Sequence, residues 1–178
     1  MRIVICGLPG SGTTTAARLL SERLRIKMLS AGEVFRRFAK ELNLSLEDFS
    51  KLAEKDPSFD KRLDEFQREL AMREPDIVVE GRVSAFFIPA DLKVWLGAPL
   101  EVRAERVARR EGVPFERALS SIVERESSEK KRYKEYYGID LGDLSIYDLV
   151  INTAKFNENE VVEIIMAAVR CLGERGEE

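Results

Sequence analysis

The chain has 178 residues, 44% of them apolar and 34% charged, which suits one α/β domain with a packed core. Its 29 Lys and Arg against 32 Asp and Glu give a formal net charge of -3, so no overall basic field recruits nucleic acid and any anion must be held by a local cluster. With no His and only Cys6 and Cys171, His-based triads, His-ligated metals, a disulfide framework and a four-cysteine zinc site are excluded.

The first apolar run, Ile3-Val4-Ile5-Cys6, reads as a strand with Cys6 in the core. It is too short for a membrane span and runs straight into glycines instead of a cleavage region, so a cytoplasmic protein is expected. Further strands are predicted at Lys27-Met28-Leu29, Ile77-Val78-Val79-Glu80, Leu92-Lys93-Val94-Trp95-Leu96 and Leu149-Val150-Ile151. Helical periodicity predicts helices at about 13 to 24, 31 to 42, 45 to 54, 57 to 73, 99 to 111, 114 to 136 and 157 to 172. Strands alternating with helices predict a three-layer α/β/α fold around a central parallel five-stranded sheet. Residues 31 to 73 and 99 to 136 carry several helices without a strand and are expected to project from the sheet to serve a ligand. The polar tail from Gly173 to Glu178 is expected to fray.

Between the first strand and first helix stands Gly7-Leu8-Pro9-Gly10-Ser11-Gly12-Thr13-Thr14-Thr15. Glycines let backbone N–H groups converge, and a helix N-terminus adds partial positive charge, which is what a loop wrapping phosphates requires. The spacing and context predict a P-loop NTPase fold with ATP on residues 7 to 15. Thr14 occupies the position of the hydroxyl that ligates Mg²⁺, whereas Thr13 stands where the pattern has Lys. A glycine-rich turn with no ligand is the bland alternative.

After the second strand, Ser30-Ala31-Gly32-Glu33-Val34-Phe35-Arg36 offers Ser30 as a helix cap and Arg36 as a phosphate fork, though such an arginine is also at home on a solvated helix. Val79-Glu80-Gly81-Arg82 ends a strand at the carboxyl edge, where open α/β sheets bind ligands. Arg106 and Arg110 lie one helical turn apart, and Arg125, Glu129 and Arg132 share a face at spacings of four and three.

This set of motifs resembles the nucleoside monophosphate kinases, and nearly the whole chain is similar to the archaeal type of cytidylate kinase. The likeness is densest in Ser-Glu-Lys-Lys-Arg-Tyr-Lys-Glu at 128 to 135, Tyr137-Gly138-Ile139-Asp140, Asp143-Leu144-Ser145-Ile146-Tyr147-Asp148 and Val150-Ile151-Asn152-Thr153. That family includes chains with Thr at the loop's lysine position. The resemblance implies transfer of the γ-phosphoryl group of ATP, with Mg²⁺, onto CMP and dCMP. It gives Ser30, Gly32, Arg36 and Arg82 to the acceptor, with Arg36 and Arg82 on its phosphate. Glu80 would stand near the Mg²⁺ water shell, and Glu129 would reach the acceptor ribose. Arg106, Arg110, Arg125 and Arg132 would close with Arg82 over the transferring group.

The resemblance also implies a core at 1–30, 74–108 and 145–173, an acceptor-binding insertion at 31–73 and a short lid at about 109–132. A cytosine edge needs a carboxylate or carbonyl beside a donor, for which Asp60, Asp64 and Ser84 sit in plausible segments. Asp60 stands where bacterial cytidylate kinases have Arg, and Val83 replaces the Asp after their Gly-Arg, so base contacts do not transfer from that pattern. The expected partners are small molecules, ATP and CMP or dCMP, with no nucleic acid, no membrane and a monomeric state. Rival readings are a kinase of AMP or UMP, a P-loop binding module without catalysis, and, least supported, a phosphotransferase acting on nucleic acid.

Overall fold

The computed structural model describes residues 1–174. Its strands are β1 (Arg2–Gly7), β2 (Lys27–Ser30), β3 (Ile77–Glu80), β4 (Leu92–Gly97) and β5 (Leu149–Asn152). Its helices are α1 (Thr13–Leu24), α2 (Ala31–Glu41), α3 (Leu46–Lys55), α4 (Pro57–Met72), α5 (Ser84–Phe87), α6 (Leu100–Glu111), α7 (Phe115–Tyr137) and α8 (Glu158–Glu174).

The five strands form one parallel sheet in the order β2-β3-β1-β4-β5. β1 reads as an unbroken apolar run because both its faces are covered, and Ile3, Val4, Ile5 and Cys6 are fully buried. One face carries Ile3, Ile5, Val94 and Leu96 against Ala17 and Leu20 of α1 and Val162 and Ile165 of α8. Each such Ile or Leu contributes about 1.5–3 kcal/mol by leaving water. The opposite face packs Val4, Cys6, Val79 and Trp95 against Ala71, Ala85, Ile88 and Tyr147. Burial pushes the Cys6 thiol up to about 11, which makes it an unreactive core group.

The helices between β2 and β3 have a small core of their own. Val34, Ala39, Phe49 and Leu63 are buried there, with Phe49 set against the rings of Phe35 at 4.6 Å and Phe59 at 5.7 Å. Asp56 starts α4 by accepting from the Ser58 amide at 2.9 Å, and Pro57 follows at the first helical position, where a missing N–H costs nothing. A second satellite core, Ala104, Val107, Ala118 and Ile122, pins α7 along α6.

Two sequence expectations need correction. α5 was not predicted, since four residues are too few to carry a helical period. The tail expected to fray begins later, because Gly173 and Glu174 belong to α8; Arg175 to Glu178 lie outside the described residues. Among the described residues, no helix is long and apolar enough to cross a membrane.

Candidate active site

The phosphate loop leaves β1 where the sheet order reverses, with β3 on one side and β4 on the other. Its first glycine is dictated by crowding: a Cβ on Gly7 would lie 2.4 Å from the Leu96 carbonyl and 2.6 Å from Ser11 Oγ. At Gly10 the demand is conformational, with φ of 80°. The Ser11 amide donates to Leu8 O at 3.0 Å, while Leu8 and Pro9 are half-buried. The first-turn amides of α1 have no carbonyl one turn earlier to accept them, so the loop's mouth presents donors.

The carbonyls of the loop are held from outside. Arg106 Nη1 donates to Thr153 Oγ1 at 2.9 Å and to Gly10 O at 3.4 Å, and its Nη2 donates to Thr153 O at 2.7 Å. Thr153 Oγ1 in turn donates to Ser11 O at 2.9 Å. Arg103, not among the residues expected at the site from the sequence, is 4% exposed and donates to Pro9 O at 3.1 Å and Ala98 O at 2.9 Å while pairing with Glu126. Its spacing of three from Arg106 is a signal that was available. Arg110 is not brought to the loop; it pairs with Glu111 at 2.7 Å on the surface.

Glu80 ends β3 between the loop and β2. Its Oε1 accepts from Thr13 Oγ1 at 2.8 Å and its Oε2 from Ser30 Oγ at 2.8 Å. Ser30 was expected to cap α2, and it does occupy the N-cap position. Its hydroxyl makes no cap bond, however, because the charged Glu80 oxygen, in register with Ser30 across the sheet, is the stronger acceptor. Arg36 is exposed, lies over Gly32 and has no hydrogen bond or ion pair among the described residues. A free guanidinium beside an open backbone is suited to a phosphate.

Arg82 donates from Nη1 to Gly7 O and from Nε to Glu129 Oε2 at 2.6 Å. Glu129 also accepts from Arg125 Nε at 2.8 Å. Burial alone would raise the Glu129 carboxyl, but Arg82 and Arg125 outweigh it and hold it below the usual carboxylate range. Arg132, expected over the transferring group, instead donates to Asp60 Oδ2 at 2.6 Å, so it faces α4. Tyr137 donates to Asp64 Oδ2 at 2.7 Å, and burial pushes Asp64 up to about 7. Ser84 Oγ donates to Gln67 Oε1 at 2.7 Å, and Gln67 Nε2 to Glu80 O at 3.1 Å, which ties α5 and α4 to the end of β3. Gln67 and Tyr137 lie in segments that carry the family likeness but were given no site role from the sequence, since an amide or ring on a helix does not show which partner it meets.

The available metal donors are hard oxygens. Thr14 and Thr15 are exposed at the head of α1, and Glu80 is half-buried behind them. Among the described residues, no group of three His, Cys, Asp or Glu could cage an ion by itself. That donor set fits Mg²⁺, which keeps waters and takes other ligands from phosphate oxygens.

Strand order, loop and flanking arginines define the P-loop α/β fold. Solved structures agree: an uncharacterized protein from Eubacterium ventriosum superposes with a TM-score of 0.71 at 23% identity over 96% of this chain and 98% of that one. Shikimate kinase from Aquifex aeolicus superposes at 0.60 with 21% identity, covering 96% of each. The model of the cytidylate kinase-like family matches residues 2–155, and the chain belongs to that family. It is 51% identical to a cytidylate kinase of Methanopyrus kandleri over 97% of this chain and 95% of the relative. With a cytidylate kinase of Methanosarcina acetivorans it shares 47% over 97% and 98%.

Proposed function

We propose that the chain transfers the γ-phosphoryl group of ATP to CMP, and also to dCMP, in the presence of Mg²⁺. The observation that carries this reading is Arg82, which is bonded both to Gly7 at the floor of the donor loop and to Glu129 on α7. Transfer between two bound phosphates needs in-line placement and fixed positive charge between them, and an arginine wired to both sides supplies both. Membership of the cytidylate kinase-like family, and relatives bearing that name, support CMP as the acceptor.

On this reading the N–H groups of residues 7 to 15 seat the donor phosphates, and Arg36 and Arg82 hold the acceptor phosphate. An oxygen of that phosphate bonds to the γ-phosphorus while the bond to the oxygen of departing ADP breaks. A phosphate monoester is largely ionised near neutral pH, so the site needs no strong general base. Mg²⁺, held by Thr14 with Glu80 behind its waters, would neutralise charge on the phosphates. Arg106 steadies the loop at Gly10. Arg125, Arg132 and Arg110 would reach the transferring group when α6 and α7 close, with 109–132 as lid and 31–73 as acceptor-binding insertion on the remaining core. Asp60, Asp64 and Ser84 lie on the acceptor side, where a base carrying an amino group would be read.

The test is a substrate panel: purified protein with MgATP and, separately, CMP, dCMP, UMP, AMP and GMP, following ADP by a coupled assay. Faster turnover of CMP and dCMP than of the others is expected. Preference for AMP or UMP would move the acceptor, and nucleotide binding without turnover would make the chain a binding module.

A further inference from the structure

Thr13 stands where phosphate loops carry the lysine that reaches the β- and γ-phosphates. Both branches of its side chain are occupied. The methyl packs so close to Gly7 that a Cβ there would lie 2.8 Å from it, and the hydroxyl donates to Glu80 Oε1 at 2.8 Å. A β-branched side chain engaged on both arms is held in one χ1 rotamer. The other Glu80 oxygen accepts from Ser30 Oγ at 2.8 Å. Glu80 is therefore fixed by two hydroxyls, one from the donor loop and one from the end of β2, and among the described residues it makes no direct salt bridge, the Arg125 guanidinium acting on it only from a distance.

An ammonium at position 13 would meet this carboxylate, pair with it and cancel its charge. We infer that Thr13 is a positioning residue for Glu80: with Ser30 it aims a carboxylate free of any direct ion pair at the waters of the Mg²⁺ that accompanies the nucleotide. The positive charge a lysine would bring comes from Arg82 and Arg106, which donate to the carbonyls of Gly7 and Gly10 on the loop. This inference rests on the magnesium–nucleotide reading of the site given above.

The test is the metal dependence of nucleotide binding, read by titration calorimetry with ADP in Mg²⁺ and in EDTA, beside steady-state kinetics. Thr13→Val keeps the shape and drops the hydroxyl. It loses about tenfold in the Mg²⁺-dependent part of ADP affinity and a similar factor in kcat, as expected for a group that orients a metal's surroundings. Its metal-free ADP affinity and its KM for CMP stay unchanged. Thr13→Ser restores both losses, and Thr13→Val combined with Glu80→Gln is no worse than Glu80→Gln alone.

Thr13→Lys lowers kcat. A Thr13→Val protein that binds metal-free ADP equally poorly, a Thr13→Ser protein that fails to recover, or a Thr13→Lys protein that gains kcat by orders of magnitude overturns the inference. Wild-type protein whose ADP affinity ignores Mg²⁺ also overturns it. If Thr13→Val folds poorly, Thr13→Ala is read by the same criteria. Wild-type protein that phosphorylates none of the monophosphates would sink the kinase reading, and the calorimetric comparison would still decide the role of Thr13.

Discussion

Arg82 divides one guanidinium between the carbonyl of Gly7 and the carboxylate of Glu129, with side-chain exposures of 9% for Arg82 and 7% for Glu129. The planar fork is what allows this, since two N–H groups point at two partners in fixed directions, whereas an ammonium is a compact point charge on a flexible stem. Arg82→Lys is therefore expected to keep the charge and lose the geometry, lowering kcat by about 10²-fold, the size of effect seen when a fixed donor to a transition state is removed. The coupled assay gives kcat, and an unaltered circular dichroism spectrum shows that the fold is intact; kcat within twofold of wild type would remove Arg82 from the transfer step. Arg82 was legible in the sequence because it follows a strand end, and Arg125, Glu129 and Arg132 because their spacing repeats a helical turn. The partnership of Thr13 with Glu80 was not legible. It joins residues 67 positions apart, and a threonine in a glycine-rich loop reads as a gap in the pattern until the fold shows what its hydroxyl holds.

At the scale of elements, the seam between α4 and α7 carries the pair Arg132–Asp60 and the bond from Tyr137 to Asp64. Sequence periodicity located both helices to within a residue or so at each end, but it could not pair them, because which face of α7 meets α4 depends on the crossing of two helices distant in the chain. The seam is pH-dependent. Burial holds the Asp64 carboxyl up at about 7, above its ordinary 3.8, so the folded chain binds this proton more tightly than the unfolded chain. Its contribution to stability is fully present below the unfolded value and is lost as pH rises through about 7. Calorimetric melting at about pH 5 and about pH 8 is expected to show wild-type Tm falling relative to Asp64→Asn, which has no proton to lose there, by roughly 2–4 °C for each kcal/mol given up. A constant difference between the two proteins across that range would mean that Asp64 titrates as an exposed aspartate.

For the whole molecule, five apolar runs predicted five strands because a parallel sheet buried on both faces leaves no room for polar alternation. Their order, β2-β3-β1-β4-β5, was not in those runs, since each is apolar on both sides and would fit any neighbour. The order nonetheless decides the site: it sets Ser30 and Ile5 on either side of Glu80, and so brings the end of β2, the Glu80 carboxylate and the glycine-rich loop to one edge. The sheet also separates two mechanical regimes. Ile3, Ile5, Leu20, Val162 and Ile165 form one continuous core, whereas α2–α4 and α6–α7 rest on small cores of their own and join the sheet through the polar bonds at the site and, for α2–α4, the apolar contacts of Ala71 and Leu29. Polar seams of that kind open at lower cost than a shared apolar core. A ligand joining adenosine to cytidine through five phosphates, which fills donor and acceptor positions together, is therefore expected to slow amide exchange in α2, α3, α4 and α7 by about tenfold or more, leaving the slowest amides of β1, α1 and α8 unchanged. Hydrogen-exchange mass spectrometry reads each segment separately. Protection spread evenly over the sheet and the insertions would mean that the molecule tightens as one body, and protection confined to the phosphate loop would mean that the arginines of α7 do not close on the ligand.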